Sequence, residues 1–242
     1  MLSLSGLVPL GSPHPVAAPS AAGEGRFADA CRLACWAAAY VVAAVVVTRP
    51  VDDADVWWHL RAGEWVVEHQ GVPQTDPFSQ YGQGKRWLAY SWLFEVLIYE
   101  LRAALGLFGV VLYRVVLSFA VVAAIHRLIV KRGPRFLPAA VLFGAAVITL
   151  VPLLAERPWL FTILFTTLTL GAALDLRDGR ARWTVWLLPL AFALWANLHI
   201  QFVYGLLVLG LACAAPLIDR LLGARPGGGA AVLGSRDWWK LV

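Results

Sequence analysis

Hydrophobic and polar positions along this chain alternate in long blocks rather than residue by residue. The apolar runs predict helical spans near residues 30–47, 107–130, 136–151, 159–174, 183–196 and 202–218. A helix rises ~1.5 Å per residue and the hydrocarbon core of a bilayer is ~30 Å thick, so these runs are of the length that crosses a membrane. The run 183–196 is short. Joined to the next run it would make one helix of ~54 Å, far longer than the bilayer is thick, so the chain must turn. Asn197-Leu198-His199-Ile200-Gln201 is the natural corner. The expected fold is all-α: a polytopic transmembrane helical bundle of about six spans, with interfacial helices in the first outer loop.

Composition agrees. Sixty per cent of the 242 residues are apolar and only 14% are charged, against about 25% charged in an average globular domain. The mean hydropathy is +0.70. A soluble chain of this length needs no runs of this kind. The pI of about 9.4 does not point to nucleic acid, because no patch of clustered Lys and Arg with aromatics accompanies it. It points to topology. With the N-terminus inside, the cytoplasmic segments collect 13 basic and six acidic residues, and the outer segments seven basic and nine acidic. The short loops 131–135 and 175–182 carry the asymmetry, where the positive-inside rule has most force. The expected location is the inner (plasma) membrane, multi-pass, with a cytoplasmic N-terminus.

Residues 1–29 read as a disordered cytoplasmic tail without the basic start and compact apolar core of a secretory signal. Residues 30–218 form the membrane domain. Residues 219–242 read as a cytoplasmic linker followed by the start of a truncated further helix, which implies a downstream or C-terminal completing segment. Cys31, Cys35 and Cys213 lie in apolar segments at no metal-ligand spacing and are expected to be inert thiols.

The outer loop 48–106 is long enough to be functional or to have structure of its own. Val56, Trp57, Leu60, Trp65 and Val66 fit an amphipathic helix over 53–69 lying along the interface. Gly71-Val72-Pro73 and Thr75-Asp76-Pro77 break it. A helical pattern resumes over 87–101, with Glu95 and Glu100 set in an apolar surface. Trp57, Trp58, Trp65, Trp87 and Trp92 suit the aromatic belt at that depth.

Four polar clusters remain, and span parity places all four at the same face. On a helix Asp52, Asp55 and His59 share a side; in an extended segment Asp53 and Asp55 share one instead. Either arrangement could supply a general base or hold a divalent cation, and helix capping is the alternative role for each Asp. Arg157 could grip a phosphate or pair with Glu156 at the interface while Pro158 opens the next helix. Asn197, His199 and Gln201 could bind a ligand or satisfy the broken backbone at the corner. Arg114, inside a span, is near enough to the outer third to snorkel or to find a carboxylate. No phosphate-binding glycine loop, zinc HExxH or nucleophile elbow occurs.

Asp53-Ala54-Asp55-Val56-Trp57-Trp58-His59-Leu60, Gly63-Glu64-Trp65, the turn Val72 to Ser79, Trp87 to Glu95 and Trp195-Ala196-Asn197-Leu198-His199 resemble a group of uncharacterised bacterial multi-spanning proteins. That group is similar to the C-type glycosyltransferase superfamily. The resemblance covers most of 49–203. It implies a membrane enzyme that takes a sugar from a polyprenyl-phosphate-linked donor and transfers it to an acceptor hydroxyl at the outer face. On that reading Asp53, Asp55 and His59 are catalytic, and Arg157, Glu156, Asn197, His199, Trp92, Glu95 and Arg114 bind substrate. Asp53 and Asp55 would hold the metal if a divalent cation takes part. Two features depart from the superfamily: its members have many more spans, and the Asp-Glu pair of its dolichyl-dependent mannosyltransferases is absent here. The other functional classes are a non-catalytic membrane scaffold, with the acidic and aromatic loop as a docking surface, and half of a transporter.

Overall fold

The computed structural model of the chain describes residues 21–180 and 184–221. Eight helices carry it: α1 (Ala21–Val47), α2 (Asp55–His69), α3 (Trp92–Leu105), α4 (Leu107–Lys131), α5 (Phe136–Leu150), α6 (Trp159–Arg177), α7 (Thr184–Leu198) and α8 (Val203–Leu221). No strand occurs among the described residues; a lone antiparallel bridge joins Thr75 to Arg86 in the loop between α2 and α3.

Five helical stretches are long and apolar enough to cross a membrane: Gly25–Val47, Leu107–Lys131, Phe136–Leu153, Trp159–Arg177 and Ile200–Leu221. Their outward faces stay open, with Val45, Val116, Val141, Leu168 and Leu207 all more than half exposed. Apolar surface on this scale is untenable in water and ordinary in lipid. The chain is a multi-pass helical membrane protein.

The short fifth run is also a helix. α7 has 15 residues and carries Pro189 inside it, and the expected start of that run at Trp183 lies outside the described residues. α7 ends at Leu198, His199 is extended (φ −162°, ψ 135°), and a single 3-10 turn over Ile200–Phe202 leads into α8. The corner therefore falls where the polar residues interrupt the apolar run.

Three boundaries differ from expectation. α1 begins at Ala21, inside the stretch read as a disordered tail; Ala, Glu and Arg here are good helix formers and extend the span backwards. The rest of that tail, and the linker beyond Leu221, lie outside the described residues. α3 begins at Trp92 rather than at 87 because Leu88 to Ser91 form a turn, with Tyr90 N–H donating to Leu88 O at 2.9 Å. α2 begins at Asp55, two residues later than its pattern suggested.

α4 is central: it packs on α1, α3, α5 and α6, while α7 and α8 add to α6. α2 lies on α3, and their approach is unusually close. A Cβ at Gly63 would stand 2.0 Å from Glu95 O and 2.8 Å from Tyr99 Cβ, so only glycine fits that crossing. Buried Val56, Leu60, Phe94, Ile98, Val110 and Tyr113 continue the core from α2 through α3 to α4.

Candidate functional site

The two ends of the bundle differ in chemistry. At one end Lys131 and Arg132 bridge to Asp175, and Arg132 also reaches Asp178 at 2.7 Å. This end unites the loops 131–135 and 175–180. The four polar clusters gather at the other end, as span parity requires.

The link between them begins where α2 has not yet started. Residues 51–53 are non-helical, so Asp53 and Asp55 both reach one guanidinium, that of Arg157. Asp53 is bidentate in function: Oδ2 accepts from Arg157 while Oδ1 accepts the Asp55 N–H at 3.0 Å. Asp53 thus serves the helix start and the ion pair together. Asp52 is exposed and does not join them. Pro158 and Trp159 open α6 immediately after Arg157, and the Trp159 ring lies 5.4 Å from the guanidinium.

Glu156 and Arg157 part company. Glu156 is fully buried and pairs with Arg114. Arg114 donates Nε–H to Val47 O at 3.0 Å, and its remaining donors reach the carbonyls of Arg49 and Pro50. Val47 O ends α1 and the other two oxygens lie just beyond it, so a guanidinium from α4 caps another helix. Burial holds the Glu156 carboxyl above its ordinary range, its own backbone amide and Arg114 offsetting this in part. Arg114, expected to bind substrate, is 1% exposed and does not line the cavity at this end.

A cavity of about 550 Å³ opens at this end. His59, Glu95, Arg157, Asp55 and His199 line it, together with Arg86 and the rings of Trp58, Trp87, Tyr90 and Trp159. His59 Nδ1 lies 3.2 Å from Glu95 Oε1. With the carboxylate as acceptor, Nδ1 carries the hydrogen and Nε2 is the basic position. The Phe94 ring meets His59 edge-on at 5.0 Å and fixes its plane. His199 Nδ1 is 2.8 Å from Thr162 Oγ1, which also accepts the Trp195 indole N–H at 3.0 Å. Burial, and secondarily the neighbouring His59, holds the His199 imidazole down to about 4.

Trp92 and Asn197 belong to the frame. Trp92 Nε1–H donates to Asn197 Oδ1 at 2.9 Å, and Asn197 Nδ2 donates to Ala193 O at 2.8 Å. This ties α3 to the end of α7 beside the cavity without lining it. The hairpin carrying Arg86 is held by Asp76 N–H to Lys85 O and Trp87 N–H to Gln74 O, each 3.0 Å. Trp58 seats it on α2, 5.0 Å from Phe78 and 5.8 Å from Trp87 between ring centres. Among the described residues no three His, Cys, Asp or Glu side chains assemble as metal ligands. Asp53 and Asp55 are joined through Arg157.

Arg86, Tyr90 and Trp159 were not singled out from the sequence as site residues. Arg86 reads there as one of two basic residues in a polar turn, and only the hairpin pairing brings it over the cavity. Comparison of the chain with known protein families, curated proteins and solved structures finds no match.

Proposed function

We propose that this multi-pass membrane protein is glycosyltransferase-like, moving a sugar from a polyprenyl-phosphate donor to an acceptor hydroxyl at the outer face of the inner membrane, with its N-terminus in the cytoplasm. The observation that carries this reading is the His59–Glu95 pair in the wall of a cavity that also presents Arg86 and Arg157. His59 Nε2 takes the proton of the acceptor hydroxyl as its oxygen bonds to the anomeric carbon. The bond from that carbon to the donor phosphate oxygen breaks, and the phosphate leaves with the electron pair. General-base help of this kind contributes roughly 10²–10⁴-fold. Arg86 stabilises the charge on the leaving phosphate, as fixed cations do in such displacements. Asp53 and Asp55 hold Arg157 in place rather than acting as the base, because both carboxylates are already engaged by the guanidinium. Trp58, Trp87, Tyr90 and Trp159 offer flat apolar faces to a sugar ring. The resemblance to C-type transferases supports the class of reaction and the catalytic place of His59, while Asp53 and Asp55 take a positioning role here.

The test uses the full chain in nanodiscs with labelled polyprenyl-phosphate mannose or arabinose. Transfer should fall roughly 100-fold or more in His59→Gln with membrane insertion unchanged, and polyprenyl-phosphate binding should weaken in Arg86→Gln. A wild-type chain that neither transfers sugar nor binds polyprenyl phosphate would sink the proposal.

A further inference from the structure

The basic end of the bundle holds a second cavity, unrelated to the first. α4 and α7 both pack on α6 but scarcely on one another. There a hollow of about 480 Å³ opens between the three helices. Its walls are apolar, with Leu128 from α4, Phe165 and Leu168 from α6, and Leu187 and Leu188 from α7.

The rim is charged. Arg127, Lys131 and Arg132 stand over the hollow against one carboxylate, Asp175. Asp175 is shared between Lys131 and Arg132, and Arg127 has no ion-pair partner among the described residues. Arg132 Nε is buried with no acceptor among the described residues. A neighbouring hollow of about 510 Å³, lined by Lys131, Arg132, Arg177 and Arg180 with Asp178, extends the cationic rim. An apolar slot at span depth below surplus cations matches an acyl chain joined to an anionic headgroup.

We infer that this wedge is a binding site for an anionic phospholipid, its phosphate held by Arg127, Lys131 and Arg132 and one acyl chain lying in the groove over α6.

Native mass spectrometry of the full chain, exchanged into dioleoylphosphatidylglycerol or dioleoylphosphatidylcholine, tests the assignment. The phosphatidylglycerol adduct should survive delipidation and the phosphatidylcholine adduct should not. Arg127→Gln should weaken the former roughly fivefold, the worth of one interfacial cation. Arg220→Gln, an exposed cation at the same end, should leave it unchanged. Ala172→Phe fills the groove from α6 and should abolish the adduct without altering charge; Ala124→Phe repeats the test from α4 should the first fail to fold. Equal retention of the two lipids, equal weakening by Arg127→Gln and Arg220→Gln, or an adduct that survives a folded groove-filling variant overturns the inference.

Discussion

Arg114 and Glu156 form an ion pair in which neither side chain is more than 1% exposed. Removing one member of such a pair leaves an uncompensated charge in the interior, at a cost of about 3–5 kcal/mol. Glu156→Gln should therefore unfold at markedly lower temperature or denaturant than wild type in detergent. Arg114→Met should be worse in one respect, because the carbonyls of Val47, Arg49 and Pro50 also lose their donor. A double-mutant cycle on thermal unfolding measures both. Wild-type stability in Glu156→Gln would show that the pair contributes nothing.

Asp53 and Asp55 hold the same guanidinium from unequal surroundings, with side chains 13% and 59% exposed. Exposed ion pairs contribute ~0–1 kcal/mol, so Asp55→Asn should be mild. Asp53→Asn removes the more sheltered charge while keeping an oxygen for the Asp55 N–H, and should release Arg157 the more. Accessibility of Arg157 to a guanidine-directed reagent should rise in the order wild type, Asp55→Asn, Asp53→Asn. The reverse order would mean that burial does not set the strength of these contacts.

His199 contributes a pH dependence of known sign. Its folded value, about 4, lies below the ~6.5 of an exposed imidazole. The unfolded chain therefore binds more protons between those values. Stability from this group is complete above about pH 6.5 and falls as pH drops towards 4, by at most about 3 kcal/mol. Melting curves between pH 4 and 7 should show this slope, and His199→Gln should flatten it.

The orientation rests on charge asymmetry and has a direct readout. In a background lacking Cys31, Cys35 and Cys213, a cysteine at Gln83 should react with an impermeant thiol reagent from outside, and one at Arg180 should not. Arg180 serves better than its neighbour Gly179, whose φ of +72° disfavours a side chain. Labelling at Arg180 alone would invert the topology.

Much of this was legible in the sequence for identifiable reasons. Long apolar runs mark spans whatever their partners, and parity alone brings Asp53, Arg157 and His199 to one end. The turn at His199 was legible because no bilayer accommodates a helix twice its thickness. The roles within the cluster were not. Whether Asp52 or Asp53 joins Asp55 depends on where α2 starts, and helix boundaries shift by one or two residues with local capping. Arg114 reads as a cation near a functional face, and only the path of α1 shows that it caps that helix. Arg86 sits in a polar turn, and its place over the cavity depends on a bridge to Thr75 that no periodicity announces.

The absence of a side chain at Gly63 has a mechanical meaning. With backbone atoms of α3 where a methyl group would sit, the helices bearing His59 and Glu95 cannot slide past one another without a collision. The imidazole and its carboxylate are therefore carried on one rigid block, which α7 grips through Trp92 and Asn197. On the proposed function, admission of a lipid-linked donor must come from elsewhere on the cavity's perimeter. The hairpin bearing Arg86 is seated on the block through Trp58, Phe78 and Trp87, whose rings meet edge-on or tilted. Entry can then widen the doorway while the spacing of His59 and Glu95 stays constant.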